Sequence, residues 1–437
     1  MTLRPPASAI RLYAVLFTMI LLPAPAMAQF SSGSTGADGA LNVTEDTTLP
    51  IPPDGVFNFT TITIAEDATL DFDVTTRNLP VIMLAQEDVV IEGTIDASGE
   101  DGRSHSAAGG GAPGDEARPG PGGGHGGLGG LSPANTNDPD TAVGTSGGGP
   151  GGGAAANNSS PGQNNRGRVG NGGSHFTAGE TGNDNSNPPA PRYGDYRLII
   201  LSGGSGGAGG NINTTSPTSN KGPGGGAGGG AILIASSTSI TVSGTITARG
   251  GSGRGWSSFG GGGVNGSGAG SGGAIRLMAN SIGGGGSLDA RGGSAPGHGS
   301  AGGHGVIRIE AHEHTGSLAG NTQPSATTGA PLIPSIPPSQ QPRVRIVSIG
   351  GVAVPEDPGG HIGVPDVTIP ESEGNPLTIQ IEGINVPDGA VVTLRIPAAN
   401  GDTIVTESTP LSAGTATATA SIPAGPGAIY TTVAMPE

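Results

Sequence analysis

The sequence predicts an all-β protein: a parallel β-helix (solenoid) with long Gly-rich loops, followed by a small Ig-like β-sandwich. Three observations predict it. Four segments repeat one pattern of aliphatic alternation ended by a glycine corner. Glycine makes up 87 of 437 residues and is gathered into tracts between those segments; this is about three times ordinary usage. After residue 342 glycine thins out, and short alternating segments separated by turn signals take over.

Taken from the N-terminus, residues 1–28 read as a secretory signal peptide. Arg4 and Arg11 supply the positive region, Leu12 to Leu22 the apolar core, and Ala26-Met27-Ala28 the small-x-small cleavage site, so that Gln29 begins the mature chain. The apolar core is too short for a usual membrane span. No second long apolar run follows it, so no transmembrane segment is expected after signal removal. The expected setting is secreted or cell-surface. The chain has no Cys, which excludes a disulfide framework, a thiol nucleophile and Cys-ligated metal. An exported protein of this kind must rely on packing.

Residues 29–319 form the expected repeat domain. The copies are VIMLAQEDVVIEGTIDASGE from Val81, AILIASSTSITVSGTITARGG from Ala231, AIRLMANSIGGGGSLDARGG from Ala274 and VIRIEAHEHTGSLAG from Val306. Each opens with an aliphatic strand ending in Ala and carries a Gly-Ser/Thr-Ile/Leu corner. Thr61–Ala65 and Ala68-Thr69-Leu70 look like a degenerate earlier copy. The period within a copy is two, which places Ile82 and Leu84, Ile232 and Ile234, Ile275 and Leu277, and Ile307 and Ile309 on one interior. Strands this short cannot bury a face alone, and stacking them as coils gives a continuous core.

The tracts at roughly 99–195, 203–230, 249–273 and 291–305 are glycine-rich. Fixing a glycine costs about 0.5–1 kcal/mol relative to Ala, and the tracts hold little apolar area to offset this. Mobile loops are the default expectation. The alternative is packed, polyproline-II-like glycine, in which the missing Cβ lets backbones approach. Residues 320–342 are Pro-rich and read as a semi-rigid linker. In 343–437, seven alternating segments (344–349, 366–369, 377–382, 391–396, 403–407, 415–422 and 428–433) suggest the sandwich.

The net charge of −16, with Lys221 the only lysine, lacks the basic footprint of a nucleic-acid binder. Acidic β-helices suit polysaccharides, and catalysis there needs carboxylates gathered on one face. Asp96 and Asp289 fall on equivalent positions after the corner glycine, with Thr247 between them and Arg249 and Arg291 two residues on. The bland alternative is a solvated ladder. Arg276 and Arg308 fall on equivalent outward positions, matching Met83 and Leu233, and a close like-charge pair calls for Glu310 or loop acids to neutralise it. Trp256, Phe259, Tyr193 and Tyr196 can form a binding patch or anchor loops to the body. His312-x-His314 with Glu310 lacks a third spaced ligand for a metal site. Calcium fits an acidic extracellular repeat protein, but Asp138, Asp140, Asp184 and Asp195 are isolated. Thr61, Thr63, Thr245 and Thr247 are too few for an ice- or surface-binding array.

The segments Ala231–Gly251, Gly272–Ile282 and Val344–Pro355 (VRIVSIGGVAVP) resemble those of a group of glycine-rich secreted bacterial proteins to which no activity is assigned. The resemblance covers most of the mature chain. It implies a β-helix-type body, a C-terminal Ig-like domain and a surface or secreted setting, and it implies no catalytic residues. The expected role is therefore a secreted or cell-surface structural or adhesion-type protein without catalysis, its partner an extracellular polysaccharide or cell-surface component. The alternative is a carbohydrate-active β-helix enzyme (a polysaccharide lyase or hydrolase) or a polysaccharide-binding protein.

Overall fold

The structure is a computed structural model that describes residues 29–103, 116–130, 144–156, 169–182, 187–211, 222–254, 257–259, 262–264, 266–295, 299–331, 340–356, 358–359, 365–397, 403–422 and 427–433. The expected signal peptide over 1–28 and Trp256 lie outside the described residues, as do Asp138, Asp140, Asp184 and Lys221.

Short β-branched runs punctuated by glycine form strands, as their alternation dictates. In chain order these are β1 (Gly39–Val43), β2 (Thr47–Pro50), β3 (Val56–Ile64), β4 (Thr69–Asp73), β5 (Val81–Ala85), β6 (Val89–Ile91), β7 (Thr94–Asp96), β8 (Ala231–Ser236), β9 (Ser239–Val242) and β10 (Thr245–Thr247). There follow a small hairpin of β11 (Ser257–Phe259) and β12 (Gly262–Val264), then β13 (Ala274–Gly283), β14 (Ser287–Asp289), β15 (Val306–His314), β16 (Thr322–Gln323) and β17 (Thr327–Gly329). A nine-stranded parallel sheet contains β1, β3, β5, β6, β8, β9, β13, β15 and β17, and a six-stranded parallel sheet runs β16-β14-β10-β7-β4-β2. Their facing sides enclose one core. Ile232, Ile234, Ile275, Leu277, Ile307 and Ile309 come from the larger sheet, and Leu70, Ile95, Ile246 and Leu288 from the smaller.

The larger sheet is buried on both sides. Its second face packs Ile82, Leu84, Leu233 and Met278 against Phe30, Leu198 and Leu201. This is why the copies open with unbroken apolar runs. It also corrects the expected facing of the first copy. Met83 pairs with Ile234, and Ile82 with Leu233. Ile82 and Leu84 therefore lie in a different layer from Ile234, Leu277 and Ile309, and Met83 takes the inner place.

The glycine tracts carry the larger correction. Within 204–210, successive N–H groups turn to different neighbours and return to the same one every third residue. Gly204, Gly207 and Gly210 donate to the carbonyls of Gly229, Gly226 and Pro223 (2.7, 2.8 and 2.8 Å). Gly206 and Gly209 donate to Gly148 and Thr145 (2.9 and 3.0 Å), and Ala208 donates to Asn171 (3.0 Å). Gly124, Gly127 and Gly130 donate in turn to Gly204, Gly207 and Gly210, while Gly222, Gly225 and Gly228 donate to Gly130, Gly127 and Gly124. A three-residue return is the polyproline II period, so for the described residues of the tracts the packed alternative holds and the mobile-loop default does not. A Cβ on Gly206 would overlap the His125 carbonyl, and one on Gly209 the Leu128 carbonyl. Only glycine permits this spacing.

The expected fold class, a parallel β-helix with long Gly-rich loops followed by an Ig-like sandwich, is therefore replaced. The protein is all-β, with two parallel sheets, a hydrogen-bonded glycine layer and separate antiparallel sheets. In a solenoid each repeat touches only its chain neighbours. Here one tract bonds laterally to several others that are remote in sequence, and this makes the layer two-dimensional. Residues 320–329, assigned to the linker by composition, contribute β16 and β17 to the parallel sheets.

The last part of the chain forms β18 (Arg343–Ile349), β19 (Val352–Ala353), β20 (Leu377–Ile384), β21 (Val392–Ile396), β22 (Ile404–Glu407), β23 (Thr415–Ala420) and β24 (Tyr430–Val433). Antiparallel sheets β19-β18-β20-β23 and β22-β21-β24 share a core of Ile379, Ile381, Val392, Leu394, Ile396, Ala416 and Ala418. The segment 366–369, expected as a strand, forms none. This part sits on the glycine layer. Buried Arg395 donates through Nη2 to the Gly152 carbonyl (3.2 Å), and His125 Nε2 meets the Gly359 carbonyl (3.2 Å).

Candidate functional site

The Thr-Ile-Asp, Thr-Ile-Thr and Ser-Leu-Asp triplets of β7, β10 and β14 turn their aliphatic residue into the core and present the two polar ones on the outside. Parallel register places Thr94, Thr245 and Ser287 in one row, and Asp96, Thr247 and Asp289 in the next. Asp96 and Asp289 thus stand two strand steps apart, about 10 Å. β4 extends both rows, because Thr69 pairs with Thr94 and Leu70 with Ile95, and this brings Asp71 beside Asp96. The sequence reading missed Asp71, although Thr69-Leu70-Asp71 repeats the triplet of β7. Thr61 and Thr63 lie on β3 of the other sheet, so the four threonines considered together are divided between two faces.

The acids on this face are not equivalent. Partial desolvation by its neighbours raises the carboxyl of Asp71, a residue exposed at its surface, above its usual value, with Asp96 and Glu100 adding to the rise, against the Phe72 N–H and Arg118. Asp289 is also partly buried, but the Arg291 side chain and backbone N–H, together with Arg249, outweigh that burial and hold its carboxyl below the usual range. Arg291 reaches it through Nη2 (2.6 Å) and Nε (3.0 Å), and Arg249 Nε lies 3.7 Å away. Asp96 accepts the Ser98 N–H (2.8 Å), and Ser98 meets Thr247 (2.9 Å). A carboxylate clamped by two arginines cannot donate a proton near neutral pH, and as a nucleophile it is already occupied.

Arg276 and Arg308 lie on neighbouring strands β13 and β15, in register as expected. They are buried rather than outward in solvent, at 2% and 7% exposure. The structure supplies the neutralising acid. Glu310, fully buried, accepts Arg276 Nε and Nη2 on one oxygen (3.1 and 2.9 Å) and Arg308 Nε on the other (2.5 Å). Arg276 Nη1 caps the Leu198 carbonyl (2.9 Å). Their position matches Leu233 and Ile82 in the preceding strands; Met83, expected there, is not in that row. With both oxygens engaged, Glu310 has no share in a His312–His314 metal site. Among the described residues no group of three or more His, Cys, Asp or Glu side chains is placed to hold a metal ion. Asp195 pairs with Arg197 (2.7 Å).

Tyr193 anchors its segment to the glycine layer. Its hydroxyl donates to the Gly203 carbonyl (2.6 Å) and lies 2.7 Å from Ser205 Oγ, and its ring packs on His175 at 4.8 Å. Tyr196 is exposed. Burial lowers His175 to about 4, against the Gly272 and Gly273 backbone, which favours the charged form. The unfolded chain takes up this proton near pH 6.5 and the folded chain does not. Stability from the neutral imidazole is complete above pH 6.5 and is lost as pH falls toward 4, by about 3 kcal/mol. Denaturation midpoints measured from pH 7 to pH 4 are expected to fall, and His175→Asn is expected to flatten that slope.

No protein-family model, curated protein or solved structure matches the chain. Fold and site together define an all-β protein with two parallel sheets and a bonded glycine layer, the smaller sheet presenting one polar face. Among the described residues no helix is long and apolar enough to cross a membrane.

Proposed function

We propose that the chain is a secreted or cell-surface structural, adhesion-type protein that works by presenting surfaces and performs no catalysis. The observation that carries this reading is the commitment of Arg276, Arg308 and Asp289, the charged candidates other than Asp96, to the fold. Arg276, Arg308 and Glu310 satisfy one another in the interior, and Asp289 is held between Arg291 and Arg249. Productive acid–base chemistry needs room for a reacting group between two carboxyls. Asp96 and Asp289 instead flank Thr247 on successive strands of one sheet.

The hydroxyl row Thr69, Thr94, Thr245 and Ser287 beside Asp71, Asp96, Thr247 and Asp289 favours an extracellular polysaccharide as the partner of that face. Such a polar grid offers hydrogen bonds to sugar hydroxyls along a chain. The mature protein, incubated with neutral and acidic polysaccharides, is expected to be retarded in affinity gels and to release no product. Turnover that Asp96→Ala or Asp289→Ala abolishes would overturn the non-catalytic reading. Retardation unchanged by Thr245→Val with Thr94→Val would remove the face from the proposal.

A further inference from the structure

The segment behind the expected cleavage site is tied down from its second residue. Phe30 is 5% exposed and packs with Leu84, Leu233 and Met278. Its backbone is gripped from both sides by one side chain: Phe30 N–H donates to Asn280 Oδ1 (2.9 Å), and Asn280 Nδ2 donates to the Phe30 carbonyl (2.9 Å). Asn280 also donates to the Ser237 carbonyl (2.7 Å). Beyond it, Ser32 Oγ donates to the Ala85 carbonyl (2.6 Å), and Ser34 Oγ donates to the Phe59 carbonyl (2.7 Å). The segment thus runs across β3, β5 and β13 and the residue that follows β8. Gln29, one residue ahead of this grip, is exposed.

We infer that Gln29 is a modification site, and that the mature chain begins with a pyroglutamyl residue docked by the Phe30–Asn280 clasp. The inference rests on the export reading, because cleavage after Ala28 is what frees the Gln29 amine. The uncharged α-amino nitrogen attacks the side-chain Cδ. A five-membered lactam C–N bond forms, the C–NH2 bond breaks, and the amide nitrogen leaves as ammonia carrying the proton released by the attacking amine. No oxidant, reductant or cofactor is needed. Exposure leaves the Gln29 side chain free to reach its own amine, while the clasp fixes only the next residue. The lactam removes a positive charge next to an apolar cluster. It also denies exopeptidases the free amine from which they would unpick Phe30 and uncover Leu84 and Leu233.

The test expresses residues 1–437 in an exporting host, collects the mature protein without heating, and sequences its N-terminal peptide by tandem mass spectrometry. The expected peptide begins at residue 29 and is lighter than the Gln form by one ammonia. A peptide that begins at Gln29 with an intact amine and amide would overturn cyclisation and leave the export reading standing. A peptide that begins elsewhere would overturn cleavage after Ala28, and the inference with it. A second arm uses Gln29→Ala, which keeps a free amine. An aminopeptidase is expected to trim it to Phe30 and beyond while the parent resists, and equal trimming of both would count against the protective role.

Discussion

Gly206→Ala is expected to destabilise the protein by about 3 kcal/mol or more. The new methyl would overlap the His125 carbonyl, and the neighbouring backbone cannot withdraw without breaking the Gly206–Gly148 bond beside it. The size of the effect is decisive. In a mobile loop, Gly→Ala is expected to change stability by less than about 0.5 kcal/mol, because the residue is about as free in the folded chain as in the unfolded one. Equilibrium denaturation of Gly206→Ala against the parent therefore separates a bonded layer from a loop. Gly320→Ala is the control. Nothing lies within 4 Å of a Cβ placed there, and its effect is expected to stay within about 0.5 kcal/mol. A neutral or stabilising Gly206→Ala would remove the glycine layer from the description of the fold.

Glu310→Ala is expected to cost about 3–5 kcal/mol, the range for removing one partner from a buried ionic cluster. Two guanidinium groups would remain behind the sheet with their shared acceptor gone. Burial already pulls the Arg276 guanidinium below its ordinary range, with Arg308 adding to the effect, against the Glu310 carboxylate. The loss should be insensitive to added salt, because buried pairs are poorly screened. The combination Arg276→Met, Glu310→Leu, Arg308→Met should recover most of the stability, since apolar residues of similar volume replace buried ions with little penalty. Denaturation of the single and triple variants at low and high salt checks both points. If the single variant is as stable as the parent, the cluster is not holding the 195–201 segment against the sheet.

These two substitutions act on different parts of one design. Glycine backbones fill the layer where side chains have no room, and the ion cluster fastens the Leu198 segment over the outer face of the larger sheet. The lowered proton affinity of His175 has the same origin, since its ring is enclosed by that layer. Acid sensitivity and sensitivity to glycine replacement should therefore appear together.

Local alternation was enough to place the strands of the four repeat copies and the polar triplets of β7, β10 and β14, but it missed β1, β2, β16 and β17 and put a strand at 366–369 where none forms. In Thr94-Ile95-Asp96, Thr245-Ile246-Thr247 and Ser287-Leu288-Asp289 only one residue is aliphatic, so its inward place and the register of its neighbours follow directly. Val81–Ala85 could not be placed in this way. Every residue of that strand is buried, and a run that is apolar on both faces carries no mark of which side meets which core. Arg276 and Arg308 could be read only as outward, because the cover that buries them, Leu198 and its neighbours, lies far away in the chain. The glycine tracts were the least legible. Glycine has no side chain from which a period can be read, and its order depends on backbone bonds to segments brought alongside only when the whole chain has folded. Sequence determined which residues alternate and where the chain must turn; the tertiary structure decided which faces close and whether glycine is loop or layer, because those depend on contacts between remote segments.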